Sequence, residues 1–317
     1  MMKTSLHISR KTDAKTVGKF LRKPLVIGVV EVGREPNSLA LAANDCLALV
    51  CNTEDRTLSL IDTDAMCVIA VIALPIRPLT IVVDARRNRA YVGGLGQSKV
   101  IVVDISARKI VGEIAASEGH AMTIDIHGQR LYVHANSAGN GQLCIIDTAS
   151  DTLIRRIITG PFASAAVLSR DGRLFICDYL RHALNVLDSV TGEITTVLSL
   201  PDPFEEFALS PAGDFGYAPY RTDERIVAKI DLASYDVVDL LPVPPLPHGL
   251  TFSPNGALAC CCSAAERNVT IIDTATWQVV SRFQAGLYPQ SPVFTADGTR
   301  LYLCDSFGNA VWVVALD

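Results

Sequence analysis

The sequence predicts an all-β protein, a seven-bladed β-propeller of four-stranded antiparallel blades whose ring is closed by an N-terminal strand. Three observations predict it. An apolar run ending in aspartate recurs at Asp62, Asp104, Asp147, Asp188, Asp231 and Asp273, at intervals of 41 to 43 residues, the period of propeller blades. Each period holds four short apolar runs separated by turn chemistry. The last copy, NAVWVVALD, ends at Asp317 after only three strands, while PLVIGVVEVG at 24–33 can supply a fourth.

The stretch 247–286, PHGLTFSPNGALACCCSAAERNVTIIDTATWQVVSRFQAG, shows one period in full. Its apolar runs of four to six residues suit strands, and the gaps suit tight antiparallel connections. A single sheet of this kind has two apolar faces and must stack on copies of itself. Closing the ring with residues 24–33 leaves no bare sheet edge. The blades begin near Pro36, Pro78, His120, Phe162, Pro203, Pro247 and Pro289. The first hairpins carry SRDG (169–172), SPAG (210–213), SPNG (253–256) and TADG (295–298), whose glycines take positive φ cheaply.

The six recurrent aspartates are expected to serve turns, not metal. Each stands where the third strand turns into the fourth and can accept backbone N–H groups two residues on. No calcium-loop pattern occurs. Trp277 and Trp312 are expected to pack between blades, and PVPPLP at 242–247 to be a stiff connection.

Hydrophobic residues make up 49% of the chain, yet no apolar run is long enough for a membrane helix, so no membrane span is expected. Residues 1–23 hold seven basic groups and one acid, and read as a basic tail ahead of a single propeller domain over 24–317. The body is therefore acidic, which argues against nucleic acid as a partner. The tail lacks the apolar core and cleavage site of a secretory signal. The nine cysteines lie mostly inside strand runs and form no CxxC pair, so they are expected to be buried apolar residues in a reducing cytoplasm.

SPxG followed by LYV, a short loop and VxxIDTAT resembles the YVTN-type seven-bladed β-propellers. The stretches LYVHANSAGNGQLCIIDTASDTLI and FSPNGALACCCSAAERNVTIIDTATWQVV carry the likeness, which extends over residues 24–317. It implies the fold. It implies no activity, because these motifs are structural and members of the family differ in what they do.

Function is therefore sought where the blades differ. The inner strands of a propeller begin at the mouth of the central channel. The residue five places before each hairpin serine, or its equivalent, is Asn37, Leu79, His120, Ser164, Glu205, His248 and Gln290 in turn. HAMTIDIHG and HGLTFSPNG align without a gap, so His120 and His248 are equivalents. His120, Glu205 and His248 are the candidate catalytic residues, as an acid–base set or as ligands of a divalent metal. Glu206 stands beside Glu205. Alternation also sets His248 in phase with Leu250 and Phe252, which leaves open a position between blades.

The loops between second and third strands are richest in blades four and five, in DYLRH (178–182) and PYRTDER (219–225). From them Tyr179, Arg181, His182, Tyr220 and Arg221 are candidate substrate-binding residues, the arginines as anion clamps. Asn37, Glu206 and Gln290 join them from the ring, and Phe162, Phe204 and Tyr288 as an apolar pocket wall. Two readings stand. One is a small-molecule enzyme at the channel mouth, of lyase, cyclase or ring-opening type, in line with propeller lyases and lactone hydrolases of like architecture. The other is a non-catalytic scaffold for a protein partner. No GxSxG, HExxH or nucleotide-binding fingerprint is present.

Overall fold

The second and third strands of each repeat are apolar at nearly every position because both of their faces are covered by neighbouring blades. In the first repeat, Leu47–Asn52 and Thr57–Asp62 are buried almost throughout, whereas the outer strand Cys67–Ala73 is largely open to solvent. The computed structural model describes residues 23–125, 129–135, 141–159, 163–204, 206–220 and 225–316. They form seven four-stranded antiparallel sheets. We number the blades 1 to 7, over 36–73, 77–115, 121–158, 163–199, 208–242, 247–284 and 289–315, the last completed by Leu25–Glu31. Among the described residues no helix is long and apolar enough to cross a membrane.

The N-terminal strand pairs with Ala310–Ala315, setting Val29 against Trp312 and Val30 against Val311. Val30 is buried in a cluster that holds Tyr302 and Val313 of blade 7 together with Leu39, Val50 and Ile61 of blade 1. The closing strand thus completes one blade and helps seal it to the next.

The recurrent aspartates serve turns as expected. Asp62 accepts the N–H groups of Asp64 and Ala65, Asp147 those of Ala149 and Ser150, and Asp188 those of Val190 and Thr191. Backbone N–H donors favour the ionised form and hold Asp147, Asp188 and Asp231 below the usual carboxylate range. These turns and the first hairpins lie on one face; the inner strands begin on the other, at the mouth.

Gly93 and Gly94 lie in the second strand of blade 2 (Arg89–Leu95). A Cβ on Gly93 would stand 2.8 Å from the Cα of Gly119 at the start of blade 3. Gly93→Ala is therefore expected to push two blades apart, at about 1–3 kcal/mol. Thermal unfolding should show Tm lower by roughly 2–10 °C; an unchanged Tm would mean that the gap accommodates a methyl group.

Candidate functional site at the channel mouth

Strand register matches blades 3 and 6 beyond the histidines but not at them, since His248 pairs with Cys262 whereas Ala121, not His120, pairs with the equivalent His134. Thr123 pairs with Tyr132 in blade 3 as Thr251 pairs with Cys260 in blade 6, three residues after His120 and His248 respectively. Just inside the mouth the inner strands slip register, between Pro36 and Ser38, Pro78 and Thr80, Ala163 and Ala166, His248 and Thr251, and Gln290 and Val293. A bulge breaks the two-residue alternation and re-aims the side chains before it.

Two members of the ring are committed to closing it. Gln290 Nε2 donates to Asn37 Oδ1 at 2.6 Å, to the Pro36 carbonyl at 3.2 Å and to Ser306 Oγ. Asn37 Nδ2 in turn donates to Thr53 Oγ1, whose hydroxyl reaches the Pro78 carbonyl. This hydrogen-bonded belt runs from blade 7 through blade 1 to blade 2.

His248 is 7% exposed. Its Nδ1 lies 3.1 Å from the Leu246 carbonyl, while Nε2 is buried with no partner. A carbonyl only accepts, so Nδ1 carries the proton, and in the neutral ring Nε2 is a bare lone pair. The ring packs on Tyr288 with centroids 5.3 Å apart, and Tyr288 packs on Phe307 at 4.9 Å. Phe307 is 65% exposed, and Leu246 and Leu287, just before His248 and Tyr288 in the chain, are exposed as well. The Glu206 carboxylate crosses from blade 5 to accept the N–H of Gly249, the residue after His248. Its negative charge contributes to raising the thiol pKa of Cys177, Cys261 and Cys262, although burial is the main cause at the first two and a bond to Cys260 at the third. Glu206 thus reaches into a space bounded by blades 4, 5 and 6.

In blade 3, His120 is partly exposed, with Nε2 3.5 Å from Glu118 Oε2. Beside it lies His134, whose carbonyl accepts the His120 N–H. His134 belongs to the second strand Arg130–Ala135 and is fully buried, with Nε2 3.0 Å from Thr159 Oγ1 and Nδ1 without a partner. Its place in the repeat is filled elsewhere by Cys51, Gly93, Cys177, Pro219, Cys262 and Cys304. Aligning the fifth residue of each second strand exposes this one large polar side chain among small ones.

Burial, and then the nearby His120, depress the His134 pKa from 6.5 to about 4. The folded protein therefore refuses a proton that the unfolded chain accepts between those values. Its contribution, about 3 kcal/mol, is fully present above pH 6.5 and is lost as pH falls toward 4. Urea unfolding of wild type and His134→Leu should diverge over this window, with wild type losing more stability on acidification. Parallel curves would contradict a buried neutral ring.

The remaining candidates are placed as follows. Arg181 is exposed and ion-paired at 3.3 Å to Asp178, which is itself 1% exposed and also accepts the Arg181 N–H. His182 occupies the left-handed turn position, φ 50°, with Tyr179 three residues before it in the same turn. Phe204 and Tyr220 are fully buried in a cluster with Phe175, Cys177 and Phe207, so they build the core of blades 4 and 5. Phe162, Glu205 and Arg221 lie outside the described residues, and no side-chain placement is given for Ser164. Among the described residues no three His, Cys, Asp or Glu side chains are disposed to hold a metal ion.

No protein-family model matches the chain. The uncharacterized protein YncE of Salmonella typhimurium is 27% identical over 191 residues, covering 57% of this chain and 53% of its own. The YncE of Salmonella typhi matches to the same extent. The chain thus spans about half the length of the curated relatives it matches. A chain of Kuenenia stuttgartiensis hydrazine synthase superposes with a TM-score of 0.82 at 18% identity, over 89% of this chain and 96% of that one. At that identity the likeness is one of fold.

Proposed function

We propose that this propeller binds a small molecule at the channel mouth and acts on it by acid–base chemistry of the elimination or ring-opening type, with His248 as the base. The observation that carries the reading is the bare Nε2 of His248, buried and unpartnered while Nδ1 is held by a carbonyl. Leaving a buried polar atom unpaired costs about 1–3 kcal/mol; a substrate proton would complete it. The Leu246 carbonyl sets the tautomer, and the Glu206 carboxylate holds the backbone N–H of the next residue, Gly249. In an elimination, His248 Nε2 takes the proton from carbon, its electron pair forms the double bond, and the leaving oxygen departs with a proton from solvent. The exposed Phe307 and the Tyr288 beneath it cover the base, so substrate reaches Nε2 as these rings turn aside.

The exposed trio Leu246, Leu287 and Phe307 favours a second reading, docking of a protein partner on the rim of blades 6 and 7. A panel of lactones and β-elimination substrates, read by product mass, separates the two. The enzyme reading expects turnover that is lost in His248→Ala; no turnover on any member, with wild-type and variant spectra alike, favours the scaffold.

A further inference from the structure

On the opposite face, the groove between the first hairpins of blades 5 and 6 differs in chemistry from its counterparts. The fold repeats this groove between blades 3 and 4 and between blades 7 and 1. Among the described residues, an ammonium group on an aromatic floor is found only between blades 5 and 6. Lys229 lies on the third strand Ile226–Asp231, two residues before the turn aspartate. Its equivalents Leu60, Val102, Ile145, Val186, Ile271 and Val313 are all buried aliphatics. A lysine at a place where six repeats keep an apolar side chain calls for a reason beyond packing.

The Lys229 Nζ stands 4.0 Å from the ring centroid of Phe215 and 5.7 Å from that of Trp277. Tyr217 packs on Phe252 at 4.7 Å and on Trp277 at 4.9 Å, so the two rings against the amine belong to a cluster of four aromatic side chains. Among the described residues Lys229 makes no ion pair. Asp239, opposite it on the outer strand, is turned to the N–H of Leu240, and Asp214 at the groove's edge accepts the Ser210 hydroxyl. Trp277 Nε1 is buried with no acceptor. In blades 2 and 3 the tyrosines equivalent to Tyr217 donate into the next blade's turn, Tyr91 to Asp151 and Tyr132 to the Ser189 carbonyl. Trp277 occupies the position of Asp151 and removes that acceptor.

The groove, about 250 Å³, is lined by Phe215, Tyr217, Phe252, Asn255 and Lys229. Its cationic donor, Lys229, faces aromatic surface and has no ion-pair partner among the described residues. We propose that this groove is a second binding site, for a small planar carboxylate: the anion on Lys229, the apolar body against Phe215, Tyr217 and Phe252. A charge-assisted bond on aromatic surface suits that class.

Calorimetric titration with benzoate, and with benzamide as its uncharged isostere, tests the site. Lys229→Met restores the aliphatic character of the other blades, so it is expected to fold. Wild type should bind one benzoate, with at least about tenfold weaker binding of benzamide and about tenfold weaker benzoate binding by Lys229→Met, some 1.4 kcal/mol. His248→Ala should bind benzoate as wild type does, because the two sites lie on opposite faces. Absence of benzoate binding, equal binding of benzamide, or full binding by Lys229→Met would each overturn the proposal.

Discussion

His248→Ala is expected to lower turnover of the substrate at the channel mouth by about 10²–10⁴-fold, or roughly 3–5 kcal/mol of transition-state stabilisation. The size follows from the role. A base whose tautomer is fixed by a carbonyl and whose lone pair is desolvated is poised for proton transfer, and alanine leaves nothing in its place. His248→Gln sharpens the test, since an amide oxygen can still accept a hydrogen bond but is no base at neutral pH. It should keep KM near wild type while kcat falls. Phe307→Ser should act on KM, because Phe307 stands over the ring stack without meeting the proton. Retention of kcat in both His248 variants would remove His248 from the chemistry, whatever became of KM.

Removing the closing strand is expected to have the largest effect on stability. A chain starting at residue 34 loses the ladder from Leu25–Ala315 to Glu31–Ala310 and the burial of Val30 between blades 7 and 1. The strand Ala310–Ala315 then becomes a bare edge. We expect a loss above about 4 kcal/mol, outside the range of ordinary substitutions, together with concentration-dependent association. A chain starting at residue 23 keeps the whole ladder and should unfold at the wild-type urea midpoint. A synthetic peptide of residues 23–34 should restore the lost stability in trans. Equal midpoints for the two truncations would show that the ring does not depend on this strand.

The fold was legible because its signals are local and repeated. The aspartate before a turn recurs six times and the hairpin glycine four times to the same effect, and the three-stranded seventh copy points to its missing partner. The mouth was less legible because direction, not position, decides its chemistry. Counting back by twos from Phe252 and Leu250 sets His248 between blades, but the register slip after His248 breaks that count. Nor does sequence reveal that Asn37 and Gln290, one blade apart around the ring but 253 positions apart in the chain, spend their amides on each other. Phe204 and Tyr220 look like pocket residues beside charged neighbours; they are core because blade 5 keeps only Ala208–Leu209 and a single Phe204–Tyr220 bridge on its inner edge. His134 was hidden by its neighbourhood, since ANSAGNG after it reads as a loop while the imidazole itself ends a strand.

Histidine side-chain ¹H–¹⁵N correlation spectra, with the signal assigned by its loss in His248→Gln, test the central claim most directly. The account predicts that neutral His248 carries its proton on Nδ1 and shows an unprotonated, pyridine-type Nε2. A neutral ring protonated on Nε2 would contradict it, because the lone pair would then face the Leu246 carbonyl and the mouth would hold no base at this position.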